Sequence, residues 1–557
     1  MSISSEAYAA LEAAVGKRFV SKDPAFLFSV CWNGAFAGFF QYGPLLPPDA
    51  MPLAVVMPGT VEEVAAVVKA CQRYDINFRA FSVGWTSMGA VTRPNSISID
   101  LRRMDFCEID ERNMIATIGP YVTAGQLMAE AMKKGLTCHV IGAGATHSPL
   151  ASATSGWGIG CSGTSTGHNA RNLLSLEWVT PEGEIVRIGS AGSDAGWGIA
   201  DGPGPGFRGM IRGFMGAMGG IGVFTKIGYR LHPWHGPKKL DYTGHHPQVG
   251  MKIGDNFVRY YHAVWPNWDD VQKATFEFNA SGVATVQLRI PPESIGWTLT
   301  RTNNEYLQQV EANGLPAIAR QENGCSWSIV TTAYSQKHDA YNDKVVRHIV
   351  ERTGGKFVDV AQEHAEVMAR NLVTSAYVPR VTRPTNKLNT SFGGFDSFRL
   401  LSRTIKATEE VYSEHDIAQK HFHSVGKEQN WIWPTERRSL WTENIVCIDE
   451  KAGAPMFEYM FRHEKKVEDE RLGYDAFLVG PAMDLVGPRW GPNAHLYERE
   501  VKNSYDPKNL ADPFLYITPK STPFSWGWKI AKKFLFRPAF RPILKTISAG
   551  PTKKKDG

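Results

Sequence analysis

Residues 180–189 read TPEGEIVRIG, 201–210 read DGPGPGFRGM, and 215–233 read MGAMGGIGVFTKIGYRLHP. The first block is a strand with a turn, and the last passes from a run of glycines into β-branched and aromatic residues. Gly213, Gly216, Gly219, Gly220 and Gly222 let a backbone draw tight against a large planar ligand before handing over to a strand. The stretch predicts a ligand loop rather than a linker.

Two loops upstream have the same character. In NFRAFSVGWTSMGAV (77–91) an apolar strand breaks at Ser82, Gly84, Thr86, Ser87 and Gly89 before SISIDLRRM resumes. Small residues there leave successive backbone N–H groups free to converge on a phosphate. GAGATHSPLASATSGWGIGCSGTSTGH (142–168) is too rich in Gly and Ser for a long helix and too apolar for a disordered linker, so contact with something must order it.

Taken in order, these blocks resemble the FAD-binding domain of the vanillyl-alcohol oxidase and p-cresol methylhydroxylase (PCMH-type) flavoprotein family. PLAVVMPGTVEEVAAVVKACQRYDI (52–76) is similar to the family's opening, and Ser82–Ser87 to its pyrophosphate loop. SISIDLRRMDFCEIDERNMIATIGPYVTAGQLMAEAMKKGL, the 142–160 loop, GHNARNLLSLEWVTPEGEIVRI and GGIGVFT follow in the family's order. Six ordered blocks over roughly 48–236 are specific where a lone G-x-G-x-x-G is not.

The resemblance implies an α+β, two-domain PCMH-type fold with an α+β substrate-covering (cap) domain. It divides the chain into an N-terminal helical and aromatic extension (1–47), the FAD domain (48–236), the cap (237–500), a segment returning to the FAD domain (501–520) and a basic tail (521–557). The return segment rests on SYDPKNLADP, similar to the family's "yDP.n.lnP", with Asp506, Pro507 and Asn509 carrying the match.

Periodicity supports this organisation. Val64, Val67, Val68 and Cys71 share one face of a predicted helix in EEVAAVVKACQRY, and GQLMAEAMKKG reads as a second helix closed by Gly135. Beyond Pro233, TFEFNASGVATVQLRI alternates as a hairpin does. Helices are expected in DKVVRHIVERT and AQEHAEVMARNLV, and a strand near SFGGFDSF.

Composition narrows the class. The 557 residues are 43% hydrophobic and 21% charged, as in soluble globular proteins with more than one domain. The net charge of +6 is uneven: from Lys520 to Gly557 ten Lys and Arg accompany a single acid, Asp556. The rest is slightly acidic, which argues against nucleic acid as a partner. Seven scattered cysteines without a CxxC pair argue against a disulfide framework or a zinc cluster and suit a reducing, cytoplasmic setting. No metal is expected.

For FAD the resemblance implies contacts from Ser82, Val83, Gly84, Trp85, Thr86 and Ser87 around the pyrophosphate. Gly144, Ser148, Ser155, Gly156, Gly158, Gly219, Gly220, Gly222, Val223, Thr225 and Asn509 are the other cofactor candidates. Trp85 stands where many members carry a flavin-linked histidine, and Ala145 or Thr146 where some carry a cysteine, so FAD is expected to bind non-covalently. A link from a cap histidine (His421, His423, His463, His495) is the alternative. Candidates for substrate chemistry are Tyr377, Arg380, His421 and His147, beside Arg383, His423, Trp431 and Trp433.

The implied activity is an FAD-dependent oxidoreductase taking a hydride from an alcohol, phenol or hydroxy acid, with oxygen or an electron-carrier protein as acceptor. One alternative is a flavin-dependent transferase of the alkylglycerone-phosphate synthase type. Another is a scaffold that binds FAD or nothing and does no chemistry. A homo-oligomer is compatible with the resemblance. In the tail, Trp526, Ile530 and Phe534 recur at helical spacing beside Lys529, Lys532 and Lys533. This describes either a helix packed on the FAD domain or one docking on a membrane surface or an acidic partner.

Overall fold

The computed structural model describes residues 2–31, 51–84, 89–142, 144–156, 158–190, 197, 216–313, 325–376, 388–414, 430–436, 439–447, 462–463, 465–467, 469–472, 493–512 and 516–520. Thr60 opens the helix Val61–Tyr74, its side chain accepting from Glu63 N at 3.1 Å, and Asp75 closes it in the left-handed conformation. Glu62 and Glu63 in the first turn complement the helix dipole. Val64, Val67, Val68 and Cys71 are fully buried, each valine worth roughly 1.5–3 kcal/mol of burial. They pack into one core with Val56, Phe78, Ile97 and Ile99.

Those partners belong to a four-stranded mixed sheet in the order Val20–Ser21, Val55–Val56, Ser96–Asp100, Asn77–Phe81. Its first pair is antiparallel and the others parallel. The chain returns to this sheet near its end: Phe78 N donates to Leu510 O at 2.9 Å, and Asp512 N to Phe78 O at 3.0 Å. A second sheet, wholly antiparallel, runs Cys107–Asp110, Ile115–Ile118, Val223–Arg230, Leu173–Val179, Ile185–Ile188. Its central strand, Val223–Arg230, emerges directly from the glycine loop. The TPEGE turn joins the two strands on its flank, with Thr180 N donating to Glu184 O at 2.9 Å.

The remaining chain builds a second α+β unit. Val286–Leu288, Cys325–Thr332, Val258–Trp265 and Lys356–Phe357 form one antiparallel sheet, and Leu388–Ser397, Ser439–Cys447 and Asn430–Thr435 another. Reciprocal bonds between Arg289 and Ile432, at 3.1 and 3.2 Å, join them edge to edge. The two-domain α+β architecture expected from the sequence is therefore present.

Helices form at Ala124–Lys133, Gln336–Arg352 and Gln362–Thr374, and a strand at Leu388–Ser397, where periodicity places them. One expectation fails. TFEFNAS is not the first arm of a hairpin but the end of helix Trp268–Ser281. Asn267 caps that helix, Asp269 and Asp270 occupy its first turn, and Gly282 ends it in the left-handed conformation. Trp268, Val271, Ala274, Thr275 and Phe278 bury at helical spacing, and the longer period outweighs a short alternation. Among the described residues no helix is long and apolar enough to cross a membrane.

Candidate functional site: a cavity between three loops

The two sheets of the first unit are bridged by the three loops singled out in the sequence. Their residues line one cavity, open at its mouth. Ser82, Val83 and Gly84 come from the first loop, His147, Ser148, Ser155 and Gly156 from the second, and Gly219 and Gly222 from the third. Backbone bonds knit the second and third loops together. Ala217 N donates to Thr154 O at 2.8 Å and Met218 N to Ser155 O at 3.1 Å.

Several positions require glycine, Gly84 and Gly216 among them. Gly84 sits at φ +66°, and a Cβ there would lie 2.4 Å from the Phe81 ring. Gly216, at φ +57°, would place a Cβ 2.6 Å from Gly156 N. Any side chain at these sites is strained in backbone and in space.

Other candidates have neighbours outside the cavity lining. Gly158 packs against the His168 imidazole and Gly220 against Tyr516. Val223 pairs with Val179 in the sheet, and Thr225 Oγ1 donates to Glu177 Oε1 at 3.0 Å. Asn509 takes a positive φ of 56° in the turn where its N–H bonds Asp506 O. Gly144 borders a separate cavity. Trp431 and Trp433 are buried and stacked 5.3 Å apart in the core between the two units, and Trp433 fits against the Cα face of Gly142. His463 is buried, with Nε2 2.9 Å from Thr408 Oγ1. Trp85, Thr86, Ser87, Tyr377, Arg380, Arg383, His421, His423 and the tail 521–557 lie outside the described residues.

His147 is on the cavity wall and 2% exposed. Its Nδ1 lies 2.8 Å from Gly144 O, so Nδ1 carries the proton and donates it. Nε2 is left as a buried acceptor with no partner among the described residues. Burial holds its pKa down at about 4, against a smaller upward pull from the Gly144 carbonyl, so the ring is neutral near pH 7.

The third loop is also held from behind by two buried cations, which composition did not reveal. Arg79 Nη1 donates to Met218 O at 2.9 Å and pairs with Asp512, whose other oxygen accepts from Thr92 Oγ1 at 2.9 Å. Lys502 Nζ donates to Gly220 O at 2.7 Å, Asp506 Oδ2 at 2.6 Å and Ala511 O at 2.6 Å. All three donors of its ammonium group are thus used. Both carboxylates lie on the return segment. The one sequence signal for this arrangement was Asp506 in the YDP match; Arg79 and Lys502 stand in ordinary strand and helix patterns.

Residues 52–189 match the family model described as "FAD binding domain". This segment is an FAD-binding domain. It is 30% identical over 200 residues to a D-lactate dehydrogenase of Archaeoglobus fulgidus, an alignment covering 35% of this chain and 42% of the relative. The alignment with a probable mitochondrial D-lactate dehydrogenase of Danio rerio covers 35% of that protein, so the chain spans well under half the length of the curated relatives it matches. A p-cresol methylhydroxylase structure with substrate bound superposes at TM-score 0.68 and 17% identity, covering 91% of this chain and 95% of that one. An alkyldihydroxyacetonephosphate synthase superposes at TM-score 0.60 and 14% identity, covering 92% and 86%. At these identities the structures establish the fold.

The cavity fits FAD on its own evidence. It is framed by the three loops, floored at Gly84 by backbone that excludes a Cβ, and bordered by a neutral imidazole whose Nε2 has no partner among the described residues. FAD is the cofactor of this flavoprotein domain.

Proposed function

We propose that this flavoprotein is an FAD-dependent oxidoreductase, an oxidase or dehydrogenase acting on an alcohol, phenol or hydroxy acid. The observation that carries the reading is one cavity shared by all three loops, the first two of which lie within the matched FAD-binding segment. We assign residues 48–236 to the FAD domain and 237–500 to the cap, with 501–520 returning.

When bound, FAD supplies the hydride acceptor. The chain's own residues bind and orient. Ser82 and Gly84, with Thr86 and Ser87, are the residues that would hold the pyrophosphate, and Ser148, Ser155 and Gly156 would hold the cofactor from the second loop. His147 remains an acceptor at Nε2 because Nδ1 keeps its proton on Gly144 O. The cap, docked through Trp433 on Gly142, restricts water on that side. Tyr377, Arg380 and His421 are our candidates for orienting substrate and taking its hydroxyl proton. Oxygen or an electron-carrier protein is the second substrate, and the cofactor is held non-covalently.

Anaerobic addition of alcohols, phenols, hydroxy acids and lactones to the yellow protein is expected to bleach the flavin band with one class. Protein that lacks stoichiometric FAD when expressed with ample riboflavin would overturn the reading. The likeness to alkyldihydroxyacetonephosphate synthase favours one second reading, a transferase without net redox change. Stable flavin bleaching by an alcohol without exchange of an acyl group rejects it.

A further inference from the structure

The loop that walls the FAD cavity also walls another. His147 and Ser148 border the FAD cavity, whereas Gly144, Ala145 and Thr146 border a second, open cavity of about 740 Å³. Its other walls are the helix Ala124–Lys133, the segment 238–242 and the C-terminal half of helix Gln362–Thr374. The loop is fixed to the first of these helices, since Gly125 N donates to Ala145 O at 2.8 Å and Ala124 N to His147 O at 2.9 Å.

The lining is apolar at its base and cationic at its rim. Met128, Met132 and Leu240 are buried there, and methionine adapts to chains of varied shape. Lys133, Lys238, Lys239 and Arg370 supply four positive charges, and among the described residues no Asp or Glu lines the cavity. Lys133 is engaged by Glu130 in an exposed pair. Arg370 is half-buried; its guanidinium donates to the Asn371 side-chain oxygen at 3.1 Å and lies near the Tyr242 phenol, with no acid paired to it among the described residues. Its Nε has no partner among the described residues. A guanidinium withdrawn from water without a counter-charge is costly and selects for an anion.

We infer that this cavity binds an amphipathic anion: an acyl or alkyl chain lying on Met128, Met132 and Leu240, with its carboxylate or phosphate head on Arg370. The site is distinct from the FAD cavity and does not depend on which substrate the flavin oxidises. Lys238 and Lys239 lie exposed at its mouth and attract the head group at low ionic strength.

Calorimetric titration of the FAD-loaded full chain with decanoate, decyl phosphate and neutral decanol tests this. One saturable site is expected for at least one of the two anions and none for decanol; comparison of the two anions identifies the head group. R370Q is expected to weaken binding at least tenfold. A129W, on an exposed helix position of the lining, is expected to block it by filling the space, with flavin content unchanged in both variants. Absence of saturable binding by either anion, equal binding of decanol, or unaltered affinity in both variants overturns the inference.

Discussion

Lys502 Nζ and the Gly220 carbonyl are 2.7 Å apart in a fully buried contact that ties the end of the chain to the glycine loop of the FAD cavity. Asp506 balances the charge, and Ala511 O takes the third proton. Removing the cation leaves a buried carboxylate unpaired, a loss of about 3–5 kcal/mol. K502M is therefore expected to lower the urea midpoint of the protein strongly and to reduce its flavin content. The double variant K502M/D506L, which removes both charges, is expected to recover part of the stability. If K502M unfolds like the parent, the clasp contributes nothing.

Gly84 gives a local prediction. G84A puts a methyl group 2.4 Å from the Phe81 ring at a φ of +66°, a combination costing about 1–3 kcal/mol in backbone strain alone. Because the strain falls on the cavity wall, FAD affinity should fall at least tenfold, read by fluorescence on titrating apoprotein with FAD. F81A/G84A removes the steric part and should rebind FAD better than G84A; identical affinities would show that the backbone, not Phe81, sets the requirement.

Acid sensitivity follows from buried imidazoles. Burial brings His147, His168, His232 and His463 to about 4, and His139 well below its ordinary value. In the unfolded chain these groups titrate near 6.5. Folded values below unfolded ones mean the stability is fully present above pH about 6.5 and is lost as pH falls towards 4, where the unfolded chain takes up protons that the native one refuses. Each such histidine contributes up to about 1.4 kcal/mol per pH unit in that window. The thermal midpoint is expected to drop steeply from pH 6.5 to 4.5, and H463Q to flatten the slope by roughly one proton. A flat profile would mean these rings are protonated in the folded protein.

The legible part of this molecule was its repeated local chemistry. Glycine and serine clusters announced the three loops because a tight backbone leaves a mark on composition, and Val64, Val67, Val68 and Cys71 announced a helix because burial repeats with its turn. The Arg79–Asp512 and Lys502–Gly220 contacts were not legible. Each joins residues hundreds of positions apart, and a single buried charge looks like a surface charge until its partner is known. The helix Trp268–Ser281 was obscured by Thr275, Phe276, Glu277 and Phe278, four residues that alternate like a strand; its caps at Asn267 and Gly282 carried the better signal.

Without a nucleophile at Trp85, Ala145 or Thr146, trichloroacetic acid is expected to release FAD into the supernatant. Fluorescence remaining with the denatured band would place a link on the second unit and make His421 and His423 the first positions to substitute.

His147 separates two jobs that one ring performs. Nδ1 donates to Gly144 O and shapes the second loop, while Nε2, on the FAD cavity, has no partner among the described residues. Asparagine reproduces a donor near the Nδ1 position and lacks anything at Nε2; glutamine reaches the Nε2 position and loses the short donor. H147N is accordingly expected to fold with a near-parental thermal midpoint in the apoprotein, yet to bind FAD several-fold more weakly, with an altered visible spectrum. H147Q should show the reverse balance, with the loop less stable and the spectrum closer to the parent. Because burial keeps this ring neutral down to about pH 4, neither variant should remove an inflection near 6.5 from the pH profile of flavin reduction. Loss of such an inflection in both would show that His147 titrates during turnover and acts as a base instead of a fixed acceptor.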